Sequence, residues 1–299
     1  MLMLYFRKKR VIMKKIFLLS LLVNSLFASK VSFEVLGSGG PEIDGRASTS
    51  YILWIDNKAR LIVDMGSGSM LRFEQSKAKL EDLEAVVLTH LHIDHSVDLP
   101  AFVKAGYFSK RRKSLDIIAP DGNEFFPSCS EFLNDLFGKN GAYRYMQDVL
   151  TKESDSFEII PVNIKKETKR EYKDFSLSFI RVHHGIVPAL AVLIYVKNKT
   201  ILISGDTNDA NHNLEKLAQN VNLFVAHHAI AQNARGYATH LHMSPFIIAK
   251  VAKKIKAKKL LLTHRMKRTI TKENETLRTI KTIYKGKIIF AEDRMKMEI

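Results

Sequence analysis

Short apolar segments recur along the first part of the chain, some continuous and some alternating with polar residues. Segments of this length that end at glycine, proline, asparagine or aspartate are typical of β-strands. They cover Val31–Leu36, Ser50–Ile55, Arg60–Val63, the apolar run Ala85–Leu88, and Leu115–Ala119. Glycine-rich residues 37–41 follow the first of them and permit close approach of the backbone to a neighbour.

The second part of the chain alternates between strand-like and helical patterns. Predicted strands are Phe157–Val162, Phe175–Val182, Leu190–Val196, Thr200–Ile203, Leu223–Ala226, Leu260–Leu262 and Lys287–Phe290. Predicted helical stretches are Leu80–Leu83, Val97–Phe108, Asn213–Ala218, Ser244–Lys256 and Lys272–Tyr284. Strand-rich blocks separated by helices indicate an α/β fold in which two sheets pack face to face, with helices on the outside.

The N-terminus has the composition of a secretory signal peptide. Two lysines follow Met13, and an apolar stretch too short to span a bilayer comfortably then ends at Ala28. We expect residues 1–28 to be removed after Ala28, with Met13 as an alternative native start. An uncleaved signal anchor is the other interpretation, because the basic residues Arg7–Arg10 would hold it on the cytoplasmic side.

The remaining residues, 29–299, show neither a linker nor a repeat, and we expect them to form one domain. Apolar residues at helical spacing between 128 and 150 predict a helical insertion at about 123–150. Cys129 is the only cysteine, so no internal disulfide is available, and its simplest role is that of a small buried side chain.

The charge of the chain is strongly basic. The formal net charge of +16 falls to +10 when the six basic residues before position 29 are removed. Such an excess is usually a solvated surface, although it also attracts anionic substrates or surfaces.

The stretch Thr89–His95 carries the clearest chemistry. It places His90, His92, Asp94 and His95 within six residues, directly after an apolar strand. Alternation along a strand directs His90 and His92 to the same side, and a bend after them brings Asp94 and His95 round to the opposite side of one cavity. Imidazole nitrogen and carboxylate oxygen are ordinary zinc ligands, so we expect metal binding here.

Three later strands also end in residues that bind metals. Asp206 follows Thr200–Ile203, His264 follows Leu260–Leu262, and His183 with His184 follow Phe175–Val182. Each of them alone could equally be a polar residue whose hydrogen bonds are satisfied at a strand end. Together they supply enough ligands for two metal ions. Asp64, after another strand, is expected to brace the His90 loop.

With these motifs in place, the chain resembles the metallo-β-lactamase superfamily, and within it the branch of tRNase Z and related phosphodiesterases. The resemblance lies in the HxHxDH motif at His90–His95, the block Ser204–Thr207, the strand end Leu262–His264 and the stretch His184–Leu190. It implies an αββα four-layer sandwich that usually binds two zinc ions. Other divalent metals are an alternative to zinc.

The resemblance also implies a role for each site residue. His90, His92 and His184 would bind the first metal, Asp94, His95 and His264 the second, and Asp206 both. A metal-bound hydroxide would then attack the substrate, with Asp94 orienting it or accepting its proton. His242, which precedes a helix, matches a histidine that contacts phosphate in tRNase Z and would protonate the leaving group, unless it only packs beside that helix.

The chain also departs from tRNase Z. Ala226–Ala229 lacks the glutamate that this branch pairs with its phosphate-contacting histidine, and no Gly/Pro-rich tRNA-gripping arm is present. We therefore expect an exported, periplasmic or secreted phosphodiesterase for a small-molecule or anionic substrate, with no specific nucleic-acid partner, no stable membrane anchor after cleavage, and a homodimer left open.

Two rival functions would use the same metal ligands: hydrolysis of an ester or lactone, and metal binding without catalysis. A basic rim at Lys110–Arg112 and Arg181 would favour an anionic substrate, whereas an apolar rim of Phe132, Phe137 and Tyr143 would favour an ester or lactone. A non-catalytic metal-binding protein is the other rival, although the complete ligand set argues against it.

Overall fold

Two seven-stranded sheets form the centre of the molecule, as seen in a computed structural model that describes residues 30–151 and 153–299. The strands are β1 Val31–Gly37, β2 Ser50–Ile55, β3 Lys58–Val63, β4 Ala85–Val87, β5 Leu115–Pro120, β6 Ile159–Ile164, β7 Thr168–Glu171, β8 Phe175–His184, β9 Val187–Val196, β10 Lys199–Ile203, β11 Leu223–His227, β12 Lys259–Thr263, β13 Lys287–Phe290 and β14 Lys296–Glu298. The predicted signal peptide at 1–28 lies outside the described residues.

The helices lie between these strands. They are α1 Ser69–Gln75, α2 Ile93–Ser96, α3 Leu99–Gly106, α4 Cys129–Phe137, α5 Asn213–Leu217, α6 Ala238–Leu241, α7 Pro245–Lys254, α8 Lys267–Ile270 and α9 Glu273–Ile283. Two 3₁₀ segments are Leu80–Asp82 and Arg144–Leu150. None of the helices in the described part of the chain is long and apolar enough to cross a bilayer.

The two sheets have matching orders. One runs β14-β1-β2-β3-β4-β5-β6 and the other β13-β12-β11-β10-β9-β8-β7. In the first sheet the successive strands β3, β4, β5 and β6 are parallel to one another. In the second sheet the same is true of β10, β11, β12 and β13. Helices cover the outer faces, so the predicted two-sheet sandwich with outer helices is confirmed.

Apolar residues on alternate positions hold the sheets together. Phe179 of β8 and Val192 of β9 are fully buried between the sheets, with Leu53 and Leu61 of the opposite sheet in the same apolar core. Each side chain of this size contributes about 1.5–3 kcal/mol when it is removed from water. The two sheets therefore share one apolar core that supports the strand ends.

Helical residues fill the two outer layers. Phe102 of α3 and Phe137 of α4 pack on the first sheet, while Ile248 of α7 and Ile280 of α9 pack on the second. The helix α4 and the 3₁₀ segment Arg144–Leu150 lie where the insertion is predicted, between β5 and β6. Residues Val31–Ile299 form one compact unit.

Some elements differ from the sequence expectation. The pattern does not predict α1, which follows a Gly-Ser-Gly turn, or the short polar strands β7 and β14. The strand β7 reads Thr-Lys-Arg-Glu and lies at a sheet edge with mostly polar side chains, so it carries no hydrophobic periodicity to detect. Val97–Phe108 is shorter than predicted and begins at Leu99, because residues 93–96 form the separate helix α2.

Candidate metal centre

Residues at the carboxyl ends of neighbouring strands meet at one edge of the sandwich. Asp64 follows β3 and His90 follows β4 in the first sheet, while Asp206 follows β10 and His264 follows β12 in the second. Parallel strands present their carboxyl ends on the same side, so the topology alone brings these groups together. Both Asp64 and His264 have positive φ, which turns the chain sharply at the strand end.

The HxHxDH stretch reaches this edge by a different route from the one predicted. The strand β4 ends at Val87, so His90 and His92 lie on a loop and are not directed by strand alternation. The short helix α2 then carries Asp94 and His95, both buried, toward the same place. The prediction that these residues converge is met, but the loop and helix place them, since the strand is too short to do so.

The carboxylate of Asp206 lies at the centre of the site. Its Oδ2 atom is close to a nitrogen of five histidines: His90 Nε2 at 3.9 Å, His95 Nε2 at 3.7 Å, His184 Nε2 at 3.8 Å, His242 Nδ1 at 3.8 Å and His264 Nε2 at 3.4 Å. We call His90, His92, Asp94, His95, His184, Asp206, His242 and His264 the histidine cluster. Asp206 is only 2% exposed, so this oxygen faces the imidazoles and not solvent.

Three histidines form one group within the cluster. His90 Nε2 lies 3.0 Å from His92 Nδ1, and His184 Nε2 lies 3.4 Å from the same His92 atom. These ligand atoms of His90, His92 and His184 are grouped closely enough for one metal ion. Side chains alternate along β8, so His184 faces the cluster, whereas His183 is exposed on the other side of the strand.

A second group lies on the other side of Asp206. Asp94 Oδ2 is 3.5 Å from His95 Nε2 and 3.2 Å from His264 Nε2. Both of these nitrogens are buried, and neither has a hydrogen-bond partner in the described residues. A buried nitrogen without a partner is costly, and a metal ion would satisfy both, so the arrangement fits the metal that this donor set implies.

Surrounding residues hold the imidazoles in a defined orientation. Asp64 accepts hydrogen bonds from His95 Nδ1 at 2.9 Å, from Thr89 Oγ1 at 2.9 Å and from the Thr89 N–H at 2.7 Å. His184 Nδ1 donates to the carbonyl oxygen of Leu241 at 3.0 Å. Such contacts leave the Nε2 atom of each ring to face the centre of the cluster. The predicted bracing role of Asp64 is confirmed.

His227 is a site residue that the sequence analysis did not select. Its Nδ1 donates to Asp206 Oδ1 at 2.7 Å, and its Nε2 lies 3.0 Å from the hydroxyl of Tyr51. Its nitrogen is also close enough to His95, Asp206 and His264 to share a metal with them. The available signal was its position at the end of β11, the same signal that identified Asp206 and His264.

Burial and charge act in opposite directions on the ionisable groups. Burial lowers the pKa of His90 well below its ordinary value and favours the neutral imidazole that metals bind. Burial opposes ionisation of Asp206, but His264 and His242 outweigh it and hold the pKa of this carboxyl well below its usual range. Asp94 is shifted down as well, because His95 and His264 outweigh the effect of its burial on its pKa. Both carboxylates are therefore ionised at neutral pH.

His242 lies inside the cluster, with its Nδ1 atom 3.8 Å from Asp206 Oδ2. It is 8% exposed, and burial lowers its pKa to about 3. Ser244 occupies the N-cap position of α7 and Pro245 its first turn, as predicted, although the serine side chain makes no capping hydrogen bond. The start of α7 thus fixes the chain immediately after His242.

Three members of the predicted rims, Arg111, Phe132 and Phe137, pack elsewhere in the fold. Arg111 is 1% exposed and donates to the carbonyl oxygens of Leu80 and Leu83, on segments that precede β4, away from the cluster. Phe137 is fully buried in the layer outside the first sheet, with Phe132 packed beside it. Of the predicted rim, Arg181 alone lies beside a site residue, near the end of β8.

Comparison with known proteins identifies the family. A sequence profile described as "Anti-Pycsar protein Apyc1" matches residues 31–289. The chain belongs to this family. It is also similar to Ribonuclease Z from Pyrococcus horikoshii, 26% identical over 62% of this chain and 51% of that protein, and to Ribonuclease Z from Methanosarcina mazei, 22% identical over 88% of this chain and 96% of that protein. The chain thus spans about half of the first relative and nearly all of the second.

The fold agrees with that of a solved structure. The metallo-β-lactamase fold protein YhfI from Bacillus subtilis superimposes with a TM-score of 0.71, covering 90% of this chain and 99% of that chain at 19% identity. The Apyc1-family chain is therefore a metallo-hydrolase of the metallo-β-lactamase superfamily, in its tRNase Z-like branch, as the sequence resemblance indicated. The His and Asp groups at the strand ends form clusters that could hold a divalent metal ion.

Proposed function

We propose that the chain is a dinuclear zinc phosphodiesterase whose two metal ions share Asp206. The observation that carries this proposal is the position of Asp206 Oδ2, within 3.4 to 3.9 Å of five histidine nitrogens. A single carboxylate at the centre of so many nitrogen ligands is better explained by two shared cations than by a hydrogen-bond network, since three of those nitrogens are buried without a hydrogen-bond partner in the described residues: His95 Nε2, His242 Nδ1 and His264 Nε2.

The ligand assignment follows the two groups of side chains. His90, His92 and His184 would hold one ion, and Asp94, His95 and His264 the other. Nitrogen and carboxylate donors in this mixture suit zinc, although manganese or iron also accepts them. When bound, a pair of such ions lowers the pKa of water to about 7 and neutralises charge on a phosphate.

The protein's own groups would position the reacting partners. Asp94 lies between His95 and His264 and is ionised, so it is suited to orient the attacking water or to accept its proton. His242 lies on another side of Asp206, at 3.8 Å, where it would contact the substrate phosphate. Burial keeps its imidazole neutral at pH 7, so it would protonate the leaving group only once the charge of the bound phosphate favours its protonated form. Burial around both residues excludes bulk water from the site.

The substrate is proposed to be an anionic phosphodiester. The basic charge of residues 29–299 supports this choice, as does the name Ribonuclease Z carried by relatives. That name conflicts in part with the sequence expectation of no nucleic-acid partner, because a ribonuclease acts on RNA. We therefore keep nucleotide and oligonucleotide phosphodiesters within the proposed substrate class. We also propose that the enzyme acts outside the cytoplasm, on the basis of the N-terminal sequence pattern.

The direct test is hydrolysis of bis-p-nitrophenyl phosphate by protein stripped of metal and then reloaded. The proposal predicts no turnover after stripping and recovery with two equivalents of zinc per chain. A His242→Gln variant should retain metal but lose activity, most strongly on substrates with a poor leaving group. Turnover that survives complete metal removal would contradict the proposal.

A further inference from the structure

A cavity of about 330 Å³ opens beside the histidine cluster. Residues on both sides of His184 in the chain contribute to its wall, so the cavity and the metal site share the end of β8. The side chains that matter most here are Asn123, Phe125, Arg181, His183, Ile186 and Asn211. They come from the loop after β5, the end of β8 with the β8–β9 turn, and the loop after β10.

Hydrogen bonds hold these three segments together. Asn123 Nδ2 donates to the carbonyl oxygen of Ile186 at 2.8 Å, while its Oδ1 accepts from the backbone N–H of Phe125 at 2.9 Å. On the other side, Asn213 Nδ2 donates to the carbonyl oxygen of Arg181 at 2.7 Å. These hydrogen bonds connect each segment to its neighbour; the bonds of Asn123 are exposed, and that of Asn213 is half-buried.

Arg181 brings a positive charge into this cavity. One guanidinium nitrogen donates to the backbone carbonyl of Asp121 at 2.8 Å, and the side chain is half-buried. Within the described residues no carboxylate oxygen lies within 4.0 Å of the guanidinium; Asp121 Oδ2 instead lies 3.9 Å from Lys165 Nζ. The guanidinium remains charged. Asp121 acts on it electrostatically but forms no ion pair with it, so the cavity beside the proposed phosphodiesterase site contains a half-buried cation that is not ion-paired to any described carboxylate.

The other walls suit a phosphorylated organic molecule. His183 and Asn211 are exposed polar groups, while Phe125 and Ile186 are 61% and 56% exposed although both are large and apolar. Arginine binds phosphate through two parallel N–H groups, and an exposed aromatic ring covers the organic part of a nucleotide. The combination fits a substrate that carries a phosphate in addition to the phosphodiester that is cleaved.

We propose that this cavity is a second substrate subsite, in which Arg181 binds a phosphate group one nucleotide unit away from the scissile phosphodiester. The proposal rests on the proposed function, since it assumes that the histidine cluster cleaves a phosphodiester. It makes Arg181 a specificity-determining residue: substrates that carry the second phosphate are preferred to those that lack it.

Two chromogenic substrates isolate this effect. Thymidine 5′-(p-nitrophenyl phosphate) has one phosphodiester, and the same compound with a 3′-phosphate differs only by the added group. We expect the ratio of their kcat/KM values to favour the 3′-phosphorylated compound by about 10-fold or more, mainly through KM, given the strength of a charge-assisted hydrogen bond. In Arg181→Gln the ratio should fall to about one, whereas Arg144→Gln, which removes an exposed arginine on the insertion, should leave it unchanged.

A binding measurement separates this inference from the proposed function. Thymidine 3′,5′-bisphosphate is titrated by calorimetry into the wild-type, Arg181→Gln and Arg144→Gln proteins, each checked for an unchanged melting temperature. Weaker binding in Arg181→Gln alone supports the subsite even if bis-p-nitrophenyl phosphate is not hydrolysed, an outcome that would reject only the phosphodiesterase. Equal binding by all three proteins, or an unchanged substrate ratio in Arg181→Gln, overturns the subsite while leaving any measured hydrolysis intact.

Discussion

Substitution of Asp64 by asparagine replaces one hydrogen-bond-accepting oxygen next to the metal centre by an NH2 group, while the side chain keeps its size. Asp64 accepts hydrogen bonds from His95 Nδ1 and from both donors of Thr89, at 2.7 to 2.9 Å. Its φ of 62° is a conformation that asparagine tolerates as well as aspartate, so the backbone is not strained by the change. The amide nitrogen of asparagine would face His95 Nδ1, and two N–H groups cannot bond to each other.

The consequence is a change in the His95 tautomer. With an amide N–H in front of it, Nδ1 is favoured as the acceptor, and the proton moves to Nε2, the atom that faces Asp94 and Asp206. A protonated Nε2 does not bind metal. Loss of such a supporting contact typically costs 10- to 100-fold in metal affinity, which corresponds to about 1.4–2.7 kcal/mol.

The assay is a competition titration of zinc against a chelating fluorophore, with thermal unfolding of the metal-free protein as a check on folding. Asp98→Asn is a matched control, because Asp98 Oδ2 accepts from the Met70 N–H at 2.9 Å and Ser69 Oγ at 3.3 Å but contacts no histidine. Asp64→Asn should weaken zinc binding 10- to 100-fold and Asp98→Asn less than threefold. Zinc affinity within twofold of wild type in Asp64→Asn would refute the reasoning.

Further predictions concern the loop geometry, two buried groups and the N-terminus. A methyl group at Gly66 would lie 2.1 Å from the carbonyl oxygen of Asp94, so Gly66→Ala should displace that residue and lower kcat/KM at least about 100-fold in steady-state assays; normal activity would contradict this. Burial raises the pKa of the Cys129 thiol to about 12, so a thiol reagent should label it only after denaturation, and rapid labelling of native protein would argue against its burial. Burial also raises the pKa of Asp209 to about 6, above its unfolded value; folding therefore binds a proton, and stability should fall as pH rises from about 4 to about 6, by up to roughly 3 kcal/mol in all. Denaturant unfolding at about pH 4 and pH 7 should show that Asp209→Asn lacks this decline, and an equal decline in both proteins would disprove it. N-terminal sequencing of protein recovered outside the cytoplasm should begin at Ser29, whereas a retained leader would favour the signal anchor.

The convergence of ligands was predictable because it depends on topology more than on side-chain packing. Asp206 and His264 each follow an apolar segment, and strands of this kind present their ends at one edge. The choice of His184 over His183 also agrees with the structure, which buries His184 at the cluster and exposes His183. That choice came from a resemblance, since two adjacent histidines on a strand carry no local signal that separates them.

Other features depended on contacts between distant segments and were not predictable. His227 carries the same strand-end signal as Asp206 and His264, but that signal does not separate it from an ordinary polar residue, whereas its 2.7 Å hydrogen bond to Asp206 does. Arg111 belongs to a basic run that reads as a solvated surface, yet it is buried because carbonyl oxygens of residues 80 and 83, nearly 30 positions earlier in the chain, accept from it. The three rim residues pack elsewhere for the same reason: a run of charge or aromatic residues does not indicate which end of the sheet it occupies.

Metal stoichiometry tests most directly whether two metal ions share Asp206, because the proposed catalysis depends on both ions. Native mass spectrometry of the wild-type protein and of Asp206→Ala, combined with hydrolysis of bis-p-nitrophenyl phosphate, measures both properties in the same samples. We predict two zinc ions and turnover in the wild type, with fewer ions and no turnover in Asp206→Ala. A wild-type protein that binds no metal, or an Asp206→Ala variant that keeps both ions and full activity, would contradict this prediction.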